Sequence, residues 1–102
     1  MSVVASFWKS LLSNLRCVIC TRFAESGQRA SLHHVAEGSG IRSPFALVPL
    51  CYDHHQGPAG LHGMGSKAFI RLYRPPGDSE FGLLVWTMAD LAALLQSKGV
   101  TT

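Results

Sequence analysis

Apolar residues open the chain in adjacent pairs at helical spacing: Val3/Val4, Phe7/Trp8, Leu11/Leu12 and then Leu15. Lys9, Ser10, Ser13 and Asn14 fill the other side, so the pattern predicts an amphipathic helix packing on a small core. Its polar face is not notably basic, which makes a membrane-surface or partner-binding helix the lesser alternative. The helical rhythm breaks at Cys17-Val18-Ile19-Cys20, and a polar turn follows around Glu25-Ser26-Gly27-Gln28. Residues 30–35 predict a short strand ending in the His33-His34 pair, and residues 37–40 a loop. A second short strand is expected over 45–50, with Pro49 placing it at an edge or near its end.

Beyond that point the helical period returns. Cys51-Tyr52-Asp53-His54-His55 opens a helix that Gly57-Pro58-Ala59-Gly60 must interrupt. Ser66 is positioned to cap another helix carrying Ala68, Phe69, Leu72 and Tyr73, and Arg74-Pro75-Pro76-Gly77-Asp78 is a stop and turn. Residues 81–86 read as a strand or an extended packing segment. Thr87 resembles an N-cap for a last helix over 88–97, ended by Gly99. The expected class is α+β: one domain over 1–102, with an N-terminal helix (1–16), a metal-bearing core (17–62) and a C-terminal helical extension (63–102).

Composition adds a constraint. The chain has 102 residues, 47% hydrophobic and 15% charged, a globular balance at a size where a thin core often needs a metal or disulfides. Three cysteines cannot all pair within the chain, and no secretory signal opens it: Lys9 sits in the apolar start and no small-residue cleavage site follows. The expectation is reduced thiols in a cytoplasmic setting, where cysteine spacing points to metal or catalysis. No apolar stretch reaches membrane-spanning length, so no membrane partner is expected. The net charge of +3 permits a nucleic-acid partner without requiring one.

The cysteines sort first. Cys17-x2-Cys20 and Cys51-x2-His54 are two short-spaced pairs that together supply the Cys3His set preferred by structural zinc. All three thiols are consumed, and a domain this small should depend on the ion to fold. Buried inert cysteines are the bland alternative. A redox Cys-x-x-Cys is disfavoured because no βαβ pattern surrounds it.

His33, His34, His55 and His62 remain, and one site built from them would account for every other histidine. A divalent metal held by neutral imidazoles can bind a phosphate oxygen and stabilise a leaving oxyanion, while an unligated histidine deprotonates water. Neighbours on a strand point to opposite sides, so the His33-His34 pair divides into one ligand and one base. Satisfied structural histidines are the alternative for His34 and His55, and a solvent-exposed loop histidine for His62.

The order Cys-x2-Cys, His-His-Val, Leu-Cys-x2-His-His and a later His resembles the HNH nucleases of the ββα-metal class. More narrowly it is similar to their zinc-containing treble-clef branch, including phage RecA-dependent nucleases of the Ref kind. The likeness covers residues 17–62 and implies a small zinc-stabilised treble-clef core with flanking helices. It implies that His33 is a metal ligand, His34 the general base, His55 a further ligand and His62 another ligand or a phosphate contact. Ala46 stands where the family usually carries its middle Asn, and the gap from His55 to His62 is longer than usual.

What the resemblance implies is hydrolysis of DNA phosphodiester bonds, one nick per active site, in phage recombination or DNA processing. Its cofactors would be a structural Zn2+ and a catalytic divalent metal (Mg2+, Mn2+, Ni2+ or Zn2+). DNA is the expected partner, with room for a recombination protein or a second subunit. Arg42, Lys67, Arg71 and Arg74 are candidate phosphate contacts, the last three at helical spacing; an ordinary solvated face is their alternative. Two other classes stay open. Ala46 favours a treble-clef zinc module that binds DNA or protein without cleaving it, and the apolar terminal helices would suit an adaptor.

Overall fold

The computed structural model describes residues 2–24, 28–35 and 43–99. Helix α1 spans Val3–Leu12, with Ser2 as its N-cap accepting from the Ala5 amide. It stops short of Leu15 because Ser13 and Asn14 turn their side chains back onto the carbonyls of Lys9, Ser10 and Leu11. Its buried side differs from the expected one. Ala5 and Leu12 are buried and Trp8 half-buried, whereas Val3, Val4 and Phe7 are exposed. Trp8 fixes this rotation by donating its indole N–H to the Phe45 carbonyl at 2.9 Å.

Strands β1 (Ser31–His34) and β2 (Leu47–Leu50) form an antiparallel pair in the register Ser31↔Leu50, Leu32↔Pro49, His33↔Val48 and His34↔Leu47. Pro49 is accommodated because each strand has an open edge in this two-stranded sheet. Alternation along β2 divides the interior. Leu47 joins Leu12, Leu15 and Leu91 on one face, while Val48 and Leu50 join Cys17, Cys20, Cys51, Leu61, Phe69 and Leu83 on the other.

Three helices follow: α2 (Tyr52–His55), α3 (Leu61–Met64) and α4 (Ser66–Tyr73). Ser66 is the first residue of α4 rather than its cap, a position held by Gly65 at φ 93°. Arg74 ends α4 in the left-handed region, and Pro75 with the short 3-10 turn Pro76–Asp78 prevents continuation.

The last segment corrects two expectations. Residues 81–86 are neither strand nor extended, and Thr87 caps nothing: a single helix α5 spans Gly82–Ser97. Thr87 lies buried inside it, satisfying its hydroxyl by donating to the Leu83 carbonyl one turn back at 2.8 Å. Gly82 lets α5 start hard against the 3-10 turn, since a Cβ there would run into the Pro76 carbonyl. Arg22 then ties a π-helical turn (Cys20–Ala24) to α5 through both carboxylate oxygens of Asp90 and the face of Trp86. The architecture is α+β, a small sheet wrapped by helices around a Cys/His cluster compatible with zinc.

Candidate functional site

Two ligand clusters sit back to back across α2. In the first, Cys17, Cys20, Cys51 and His54 bring their ligand atoms within 4.8 Å of one another. The Cys17 end is pinned where its amide donates to the Gln28 carbonyl, and the Cys20 amide turns onto Cys17 Sγ at 3.5 Å. Cys51 is the N-cap of α2, so one helical turn places His54 beside it. His54 Nδ1 lies 3.6, 3.4 and 3.2 Å from the sulfurs of Cys17, Cys20 and Cys51, and the Cys20 and Cys51 sulfurs are 3.6 Å apart. A tetrahedral zinc with ordinary bond lengths needs S···N near ~3.5 Å and S···S near ~3.8 Å. The cluster fits that ion.

Its electrostatics argue the same way. Burial pushes the Cys17 thiol up to about 12, raises Cys51 and lowers His54. Thiolates are unfavourable there unless a cation is present, and a cation reverses that preference.

The second cluster comprises His33, His55 and His62, again with ligand atoms within 4.8 Å. Their rings meet edge-on or tilted, with centroids 5.1, 5.1 and 4.8 Å apart. His33 comes from β1, His55 from the end of α2 and His62 from α3; the first two are buried and His62 is exposed. The long gap before His62 closes because the chain doubles back tightly. A Cβ on Gly63 would strike the Gly57 carbonyl, so backbone packs directly on backbone. Burial, then the neighbouring His33 and His62, lowers the pKa of His55 and favours the neutral, ligating form.

Three contacts around this cluster have no counterpart in the sequence reading. His33 Nε2 donates to Glu80 Oε1 at 2.6 Å, and the Ser66 hydroxyl donates to Glu80 Oε2 at 2.9 Å. His55 Nδ1 lies 3.3 Å from the Ser31 hydroxyl. The His33 hydrogen bond holds the Glu80 carboxyl below its usual range despite its burial. Ser66 donates into the carboxylate and is not paired with a histidine, so this is no activated serine. Nothing in local spacing marks Glu80; the one clue is an acidic residue at the head of the apolar run that starts at Phe81, just after a Pro-Gly turn.

His34 is not brought to the triad. Its register partner is Leu47, and it turns to the α1 side of the sheet, lining a cavity with Ala5, Lys9, Ser13 and Pro44. Lys67, Arg71 and Arg74 border one shallow cavity that begins at Ser66, beside the Glu80 contact. Arg74 sits beyond the helix proper and pairs with Asp78 at 3.3 Å. Arg42 lies outside the described residues. Ala46 is half-buried, its methyl packed against the core, and its carbonyl accepts from the Val35 amide.

No curated protein and no solved structure matches the chain. The sequence profile of one family, described as recombination enhancement, RecA-dependent nuclease, matches residues 3–96. With nearly its whole length inside that match, the chain belongs to the RecA-dependent nuclease family.

Proposed function

We propose that this protein is a metal-dependent DNA endonuclease of the HNH type that nicks phosphodiester bonds and works with a recombinase of the RecA class, as the family's description suggests. The observation that carries the reading is the three-histidine cluster, open on its His62 side and linked through Glu80 and Ser66 to a cavity bordered by Lys67, Arg71 and Arg74. In this reading Cys17, Cys20, Cys51 and His54 hold a structural zinc, whose four-ligand set leaves no open position. His33, His55 and His62 hold a second cation with room for a phosphate oxygen. All-imidazole ligation suits Ni2+ or Zn2+ better than Mn2+ or Mg2+, which prefer oxygen donors.

The divalent ion supplies Lewis acidity to the phosphate and to the leaving oxygen. The chain's own residues do the rest. With its Nδ1 proton donated to Ser31, His55 presents Nε2 to the ion. Lys67, Arg71 and Arg74 hold the flanking backbone by charge, without reading bases. The general-base role of His34 is supported by the motif alone, because the strand turns its imidazole to the opposite face from the triad. That placement, with Ala46, favours a second reading in which the domain binds DNA but cleaves weakly or not at all.

Plasmid nicking with Ni2+, Mn2+ and Mg2+ tests both readings, comparing the wild type with His33→Ala and His34→Ala. Loss in both variants supports the motif's base. Loss in His33→Ala alone keeps the nuclease and removes His34 from the mechanism. No nicking with any of these ions, zinc remaining bound, selects the binding module.

A further inference from the structure

Among the described residues, one buried acidic group is aimed at the triad from outside it. Glu80 is 7% exposed and His33 6%. Carboxylates are rarely buried this deeply unless both oxygens are engaged, and here both are. Three separate elements meet at this point: β1 through His33, α4 through Ser66, and the residues leading into α5 through Glu80.

The direction of the contact decides what it does. A nitrogen that donates a proton to a carboxylate at 2.6 Å has no lone pair left for a cation. His33 can then offer only Nδ1, and its ring cannot turn over without breaking the bond to Glu80. We propose that Glu80 is the positioning residue of the three-histidine site: by accepting the Nε2 proton of His33 it fixes the tautomer and the ring orientation that present Nδ1 to the divalent ion. Ser66 holds the second oxygen so that the carboxylate itself cannot rotate. Carboxylate partners of this kind also make the imidazole more basic and strengthen its bond to a metal.

The brace comes from a distant part of the chain, 47 residues beyond His33. A plain structural role, an ion pair cementing α5 to the hairpin, would require neither a particular tautomer nor any effect on metal affinity. The two therefore give different results in one experiment.

The inference rests on the metal-site reading above, and the test separates the two. The protein is loaded with one zinc, then titrated with Co2+ while visible absorption and thermal unfolding are followed, for wild type, Glu80→Gln, Glu80→Ala and His55→Ala. Glu80→Ala should weaken Co2+ binding roughly 10- to 100-fold and Glu80→Gln, which still accepts a hydrogen bond, by less. Zinc content should stay at the wild-type level in both. Equal Co2+ affinity in wild type and both Glu80 variants would leave Glu80 structural and overturn the inference alone. If His55→Ala binds Co2+ as the wild type does, the triad is no metal site and both readings fall. Should Glu80→Ala not fold, nitrogen NMR of the wild-type imidazoles in the diamagnetic zinc-loaded protein still decides. A proton on His33 Nε2 is expected, and a proton on Nδ1 with Nε2 bare would overturn the proposal.

Discussion

The two clusters use neighbouring residues of the same short helix and differ in nearly every other respect. The Cys3His set is complete at four ligands, with three buried thiols and a half-buried imidazole. Its three-histidine neighbour is one ligand short of tetrahedral, carries no formal negative charge in the ligands themselves, and ends on an exposed side chain. A closed thiolate set binds tightly and leaves nothing to react; an open neutral set leaves a coordination position for substrate. Removing the first should cost the fold, whereas damage to the second should cost the chemistry.

Chelation of the zinc is the largest expected effect. Structural zinc contributes on the order of 10 kcal/mol to domains of this kind, so the stripped protein should lose its cooperative melt by circular dichroism. An unchanged melting temperature after verified zinc removal would erase the contrast from one side. Next comes His55→Ala, expected to reduce nicking by more than about a hundredfold while the protein keeps its zinc and its melt. Unfolding of this variant would show that the triad, too, is structural.

A smaller effect is expected at the basic cavity. Replacing Lys67 and Arg71 together with Ala should lower the slope of log affinity against log salt by roughly 0.9 per lost phosphate contact on duplex DNA. An unchanged slope would return both residues to the solvated face from which they project. The smallest effect concerns pH. With the second site empty, His55 titrates below the ordinary 6.5 in the folded chain, chiefly through burial. The unfolded chain therefore takes up protons first as pH falls. Stability should be intact above pH 6.5 and decline as pH drops through the folded value. Urea midpoints between pH 7.5 and 5.5 measure this, and a midpoint that rises on acidification would reverse the sign.

The division between clusters was partly legible in the residues themselves. Cys17-x2-Cys20 and Cys51-x2-His54 announce a tetrahedral set through ligand chemistry and short spacing, which survive any uncertainty about the intervening chain. His62 was less legible, since its approach depends on the Gly57–Gly63 backbone contact and not on a count of residues. Glu80 carries no spacing signal at all: it is one of six acidic residues, and only the docking of α5 brings it to His33. The helices show the same limit. The apolar run after Phe81 has no clear period, so it reads equally as strand or helix until its packing is known. Thr87 looks like a cap because a hydroxyl bonded to its own helix leaves no mark in sequence. In α1 the pairing of apolar residues fixed the helix but not its rotation, which depends on Trp8 reaching Phe45.

Helix α2 has a consequence for how this domain tolerates change. Successive residues on a helix are separated by about 100° of rotation, and here that angle alone sends His54 to the thiols and His55 to the imidazoles. One turn of backbone thus acts as an indexed dial with two readings. Inserting or deleting a single residue between Cys51 and His54 would move both readings at once, so neither cluster can be retuned through this segment without resetting the other.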